Sequence, residues 1–230
     1  YPLAQQEMIE RQSLSVVMSP QKVKFGYKEQ GNEIVLRTSE MHVLVNKTDG
    51  TIRFQDKDGR LLLAEQGSPS FKQYEQGADK GDYRVCQTFT LEKDEAIYGL
   101  GQLQTGKMSQ RNQTKYLIQS NLEDVVTFFQ SVKGYGVYWD NYSPTTFTDN
   151  AQGTSFDSEV GECSDYYFMY GGNADGVVAD MRELTGQVPM FPLWTYGFWQ
   201  SKERYKTQDD LVGVVRNYRE LGVPWDGIIQ

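Results

Sequence analysis

Histidine occurs once in the 230 residues and cysteine twice, so the side chains that most often hold zinc or carry out thiol chemistry are almost missing. Cys86 and Cys163 lie far apart, with no second ligand pair and no histidine beside them, so neither a metal site nor a redox pair is signalled; they fit small buried thiols. Positive charge is also short. Lysine and arginine total 23 against 31 aspartates and glutamates, a net charge of −8, which argues against a nucleic-acid partner, whose phosphates need clustered cations. No stretch approaches the ~18 consecutive apolar residues of a membrane-spanning helix. The amino terminus has no basic segment followed by an apolar one, the mark of a secretory leader, and a removed leader would leave no trace, so the compartment stays open.

Aromatic side chains, by contrast, are plentiful. Fifteen tyrosines and four tryptophans in a chain that is 38% hydrophobic are ample for a core, and flat rings also suit stacking on sugars, which are neutral and compatible with the acidic balance. The length allows one large domain or two small ones.

The period of the sequence changes across Pro189 to Tyr205. Before it the chain reads mostly as strand; after it strand, helix and strand alternate. Pro189 and Pro192 each remove a backbone donor, so a fresh element begins at Leu193. Leu193 to Gln200 is apolar on both faces, which predicts a strand covered on both sides, and Gln200 to Lys206 is abruptly polar. In a parallel α/β architecture that point is the carboxyl end of a strand, where sites are built.

Upstream, residues 1 to 15 are polar with a weak helical look through Gln5, Gln6, Glu7, Glu10 and Arg11. Strands are expected at Glu33 to Leu36, Met41 to Val45, Thr51 to Phe54 and Arg60 to Leu63, with turns at Lys47 to Gly50 and Asp56 to Gly59. Others follow at Tyr83 to Leu91, Val125 to Phe129, Gly136 to Trp139, Thr145 to Phe147 and Tyr166 to Met169. Many short strands with little helical period indicate an antiparallel β-sandwich over residues 1–172. A helix from Ala174 to Thr185, capped by Asn173 and ended by Gly186, reads as a connector over residues 173–188. A second helix begins at a capping box formed by Thr207 and Asp210 and shows Leu211, Val214, Val215, Tyr218 and Leu221 on one face. Ile228 opens another strand, so residues 189–230 spell β, α, β, the opening of a (β/α)8 barrel.

Several ordered blocks resemble glycoside hydrolase family 31, the α-glucosidase and α-xylosidase family, over roughly residues 35–230. They are Ile97–Gln102, Lys133–Asn141, Leu184–Gly186, Pro192–Trp194, Gly197, Trp199–Ser201 and Tyr205. The resemblance implies a galactose-mutarotase-like β-sandwich followed by a barrel that is truncated here inside its second strand, and a sandwich lacking its first strands before Leu14. It implies a retaining glycosidase acting on oligosaccharides with no cofactor and no metal, whose two catalytic aspartates lie beyond Gln230, so that this stretch alone is inactive and contributes binding. Retention requires carboxyl groups about 5 to 5.5 Å apart. Substrate contacts are expected from Trp199, Gln200 and Arg204 after the first barrel strand, or else Trp194 and Trp199 pack in the barrel wall and only the polar loop faces the site. Further contacts are expected from Arg111 and Asn121 in the sandwich loop Gly106 to Asp124, which in the family reaches over the barrel mouth. There Gln119 to Asp124 departs from the family's Trp-Asn-x-Asp type sequence. The Gln200 to Tyr205 loop and the Trp139 to Thr145 block are similar to bacterial α-xylosidases, favouring xylose over glucose. A periplasmic or extracellular bacterial setting is favoured over the cytoplasm, and oligomerisation of the parent protein is left open.

The alternative is a non-catalytic carbohydrate-binding or interface module made by the sandwich. An epimerase on the same fold would need a histidine acid and a carboxylate base, and His42 is a lone histidine with no partner identified. Gly99 and Gly101 lack the third glycine and the following helix of a phosphate loop.

Overall fold

Turn chemistry starts the fold. In the computed structural model, which describes residues 1–3, 12–19 and 21–230, Asp49 accepts the backbone and hydroxyl hydrogens of Thr51 at 3.0 and 2.7 Å, and Gly50 takes a φ of +74°. The weakly helical pattern of Gln5, Gln6, Glu7, Glu10 and Arg11 lies outside the described residues. Asp56 likewise accepts from the backbones of Asp58 and Arg60. With a third turn, where Thr38 N donates to Met41 O at 2.9 Å, these two fold β2 (Glu33–Arg37), β3 (Met41–Asn46), β4 (Ile52–Asp56) and β5 (Leu61–Glu65) into an antiparallel meander, with β1 (Gly26–Gln30) paired along β2 at its outer edge.

The chain continues through β6 (Ser70–Gln73), β7 (Tyr83–Thr90), β8 (Ile97–Gln102), β9 (Thr114–Leu117), β10 (Asp124–Ser131), β11 (Tyr135–Trp139), β12 (Thr145–Asn150), β13 (Gly153–Ser158) and β14 (Tyr166–Tyr170). One sheet runs β1-β2-β3-β4-β5-β7-β13-β12-β9, with β6 also on β7; the other runs β14-β11-β10-β8. Aromatic rings join the two sheets. Phe54 of β4 stacks on Phe168 of β14 at 4.0 Å, and Phe156 of β13 stacks on both Phe129 of β10 and Trp139 of β11 at 5.9 Å. The Trp139 indole also donates to Ser158 Oγ at 2.8 Å across the layer. Such pairs add about 0.5–1.5 kcal/mol each beyond area burial, and they pin one sheet over the other.

Helix α1 (Ala174–Thr185) forms as its caps dictate: Asn173 accepts from Gly176 N at 2.9 Å and Gly186 closes it. The connecting role expected over residues 173–188 gives way to a packing role, because Val177 and Leu184 are buried. Leu184 clusters with Tyr138 and Met169 on the outer face of the smaller sheet, and a Cβ added at Gly136 would meet Val177 Cγ1 at 2.7 Å. The first compact unit is accordingly Tyr1–Gly186, and Gln187–Gln230 forms a second.

In the second unit the two-sided strand expected from Leu193 to Gln200 is absent. Leu193–Tyr196 is a turn of 3-10 helix and only Trp199–Ser201 is a strand, β15. Thr195 explains the difference. Its amide and hydroxyl both bond the Pro192 carbonyl, at 3.0 and 2.6 Å, a local alternative to a strand ladder that apolar composition does not reveal. Helix α2 (Gln208–Glu220) has the full capping box between Thr207 and Asp210, and β16 (Gly227–Ile229) then pairs parallel with β15. Among the described residues no helix is long and apolar enough to cross a membrane.

The loops before β9 hang on two strained or buried features. Gly99, Leu100 and Gly101 have successive φ values of +133°, +66° and +97°, and β10 carries extra residues between Val125 and Phe129 opposite them. This bulge turns the wholly buried Leu100 into the core. Beyond it Asp149, buried at the end of β12, accepts from Arg111 Nε at 3.0 Å, Asn112 N at 2.6 Å and Thr154 Oγ1 at 2.5 Å. Arg111 Nη1 also donates to the carbonyls of Glu92, at 2.9 Å, and Glu95.

Gly101→Ala places a methyl 2.0 Å from the Asp124 carbonyl in a left-handed conformation, and we expect it to destabilise by more than about 2 kcal/mol in denaturant titration. Gly106→Ala, at φ +68° with nothing within 4 Å, is the control and costs about 1 kcal/mol. Asp149→Ala removes the counter-charge of Arg111 and three accepted hydrogen bonds; at about 3–5 kcal/mol the melting midpoint falls on the order of 10 °C. A midpoint unchanged in Asp149→Ala would show that the loop does not depend on this pair.

Candidate functional site

The parallel β15–α2–β16 unit places the turn after Ser201 at the carboxyl end of its strands. Gln200 sits at its root. The Tyr218 hydroxyl on α2 donates to Gln200 Oε1 at 2.7 Å, and Gln200 Nε2 donates to Ser201 O at 3.0 Å and to the Tyr205 hydroxyl at 3.4 Å. The amide oxygen thus ties the strand end to the helix and the amide nitrogen ties it to the turn. Tyr205 is buried and carries Lys202 Nζ 5.7 Å above its ring. Ser201, Glu203 and Arg204 are exposed, and no hydrogen bond or ion pair engages Arg204 among the described residues. Arg204 is therefore a free cation of this turn among the described residues, as is the exposed Lys206.

Trp199 packs against Trp194, ring centres 5.6 Å apart, and over Gly227, where an added Cβ would lie 2.4 Å from the indole. It keeps 37% exposure. Of the two readings of these tryptophans, packing accounts for one face of Trp199 and leaves an edge open. A cavity of about 520 Å3 lined by Leu193, Trp194, Tyr196, Gly197 and Asp226 lies at the opposite, amino-terminal end of β16.

Arg111 and Asn121 belong to the first unit. Arg111 spends its guanidinium on Asp149 and two carbonyls, so it holds the loop rather than reaching out from it. Asn121 is exposed between β9 and β10. Its loop is clamped by Gln119, whose amide donates to Val125 O at 2.9 Å and accepts from Val125 N at 3.0 Å, completing the pairing that the bulged β10 lacks. The residues that sequence reasoning missed are Tyr218, visible only as part of the apolar face of α2, and Asp149, which no local pattern links to Arg111. Among the described residues no group of three or more His, Cys, Asp or Glu side chains is arranged to hold a metal.

With this geometry in place, the relatives are informative. A family profile described as "Glycosyl hydrolase 31 N-terminal galactose mutarotase-like domain" matches residues 3–148, and one described as "Glycosyl hydrolases family 31 TIM-barrel domain" matches residues 188–230. An alpha-xylosidase of Saccharolobus solfataricus is 33% identical across 97% of this chain and 31% of its own length. Alpha-glucosidase 2 of Bacillus thermoamyloliquefaciens is 27% identical across 94% of the chain and 28% of its own. The crystal structure of a family 31 alpha-xylosidase from Xanthomonas citri superposes with a TM-score of 0.80 at 23% identity, covering 94% of this chain and 40% of that one, a likeness of fold. The chain thus spans about a third of the length of these curated relatives. With both of its compact units matched in order, this chain belongs to glycoside hydrolase family 31.

Proposed function

We propose that this chain supplies the sandwich and the opening of the catalytic barrel of a retaining α-glycoside hydrolase, acting on terminal α-linked xylose in preference to glucose. The observation that carries the reading is the parallel β15–α2–β16 unit following the sandwich, in a chain that resembles an alpha-xylosidase along nearly its whole length. The carboxylate pair of the reaction is assigned to barrel strands following β16. This chain's part is substrate positioning. Arg204 offers unspent donors at a strand's carboxyl end, Trp199 offers an open ring edge, Gln200 sets the turn through Tyr218, and Asn121 offers an exposed amide from the sandwich. Arg111 acts indirectly, by anchoring the loop that precedes β9.

The parent polypeptide should hydrolyse aryl α-xylosides with a higher kcat/KM than aryl α-glucosides, by a factor within the ~10–200-fold that one hydroxymethyl group can supply. A preference for the glucoside would reverse the sugar assignment, and no turnover of either would remove the reading. Arg204→Ala should leave stability within about 0.5 kcal/mol. It should lower kcat/KM by about 10- to 100-fold, as expected for a lost charged hydrogen bond of ~1.5–3 kcal/mol.

A further inference from the structure

At the far end of the smaller sheet two aspartates face each other; the Tyr1 ammonium, held at 2.9 Å on the Ser164 carbonyl, acts on Asp165, and no cation pairs with Asp140 among the described residues. The antiparallel register of β11 and β14 pairs Trp139 with Tyr166, and one step further Asp140 N donates to Asp165 O at 3.0 Å, so Asp140 and Asp165 are direct cross-strand neighbours. Like charges directly opposite on a sheet are destabilising. Asp140 is only 8% exposed, and its buried Oδ1 has no hydrogen-bond partner among the described residues. Both side chains line a cavity of about 410 Å3, together with Asp82, and no lysine or arginine is among the described residues lining it. Asn141 is fixed elsewhere: its Nδ2 donates to Val160 O at 3.0 Å and its Oδ1 accepts from Ser143 N and Oγ at 2.9 and 2.8 Å. The wall is therefore rigid beside an unsatisfied carboxylate.

A buried carboxylate that accepts no hydrogen bond is several kcal/mol dearer than a paired one, and proteins compensate such groups with a cation. We propose that this cavity binds a hard divalent cation of the calcium type, held between the Asp140 and Asp165 carboxylates. Two protein carboxylates leave most of the six to eight oxygen positions of such an ion to carbonyls and water, which sets the expected dissociation constant at about 0.1–1 mM.

The test is calorimetric titration of residues 1–230 with calcium chloride, with magnesium chloride and matched sodium chloride as controls, alongside thermal melts. We expect saturable calcium binding, a rise in the melting midpoint that sodium at equal ionic strength does not give, and at least a tenfold loss of affinity in Asp140→Asn. Metal-free Asp140→Asn should melt no lower than the unsubstituted protein, because the change removes an uncompensated buried charge. Should that variant fail to fold, Asp165→Asn carries the same expected loss of affinity. The proposal is overturned if calcium shows no saturable binding beyond the sodium control, or if binding persists undiminished in both variants.

Discussion

Strand β11 is covered on both faces, and the other elements of the first unit are arranged to keep it so. Tyr135, Val137 and Trp139 point into the layer between the sheets, where Tyr135 stacks on Phe168 at 5.4 Å and Trp139 on Phe156 at 5.9 Å. Gly136 and Tyr138 point the other way, under α1. Burying one large aromatic removes some 150–250 Å2 from water, so Tyr135 and Trp139 are each worth about 4–6 kcal/mol at ~25 cal/mol per Å2. That is comparable to the whole net stability of a domain. The double burial explains why α1 belongs with the sandwich: without it, the Tyr138, Met169 and Phe128 side of the sheet would face water.

Burying this strand also strands polar groups, and a connected network satisfies them. The Tyr135 hydroxyl and Ser131 Oγ both donate to Glu95 Oε1, and Glu95 Oε2 accepts from Glu92 N at 3.0 Å. Lys133 Nζ, nearly buried, donates to the carbonyls of Leu61 and Leu62 at 2.6 and 3.1 Å and to Glu92 at 3.0 Å. Arg111 joins through the carbonyls of Glu92 and Glu95 and ends on Asp149. The network thus ties the core, the β7–β8 connection and the loop before β9 into one object. A buried network of this kind is favourable only while each member is satisfied, and it commits Nε and Nη1 of Arg111.

What could be read from the sequence was whatever is settled within a few residues. The turns at Gly50 and Gly59, the Asn173 cap and the Thr207–Asp210 capping box depend on atoms close in the chain, and each stands where its local chemistry puts it. Strands β1, β6, β9 and β13 were not legible because their patterns are polar and their existence depends on distant partners, and β8 (Ile97–Gln102) was not because its two glycines interrupt the alternation. Thr114–Leu117, for example, was read as part of a loop and becomes a strand only by lying along Thr145–Thr148. The Leu193–Tyr196 turn failed differently: apolar composition signals burial but not backbone geometry, and the Thr195 hydroxyl decided it. At the candidate site, residue types and the strand end were legible: Gln200 lies at the root of the turn and Arg204 on it, whereas Trp199 opens β15 across from Gly227, at the other end of the pair. The division between free and committed side chains was not legible, since Arg111 is fixed by an aspartate 38 positions away.

The two ends of the β15–β16 pair differ in chemistry. At the amino-terminal end, Asp226 N and Gly227 N both donate to Phe198 O, at 2.9 and 3.4 Å, and Trp199 lies flat over Gly227. Trp225 packs beside Tyr218 and beneath Arg219, whose guanidinium lies 5.0 Å from the ring centre. Rings and backbone there lock the strands together, so the carboxylate of Asp226, though it borders a cavity, sits at the end that carries stability in parallel α/β folds. At the carboxyl end the side chains after Ser201 are polar and exposed, and the one buried residue, Tyr205, fixes the turn by receiving Lys202 and Gln200. The turn thus presents exposed polar side chains on strands whose register is fixed from the other end.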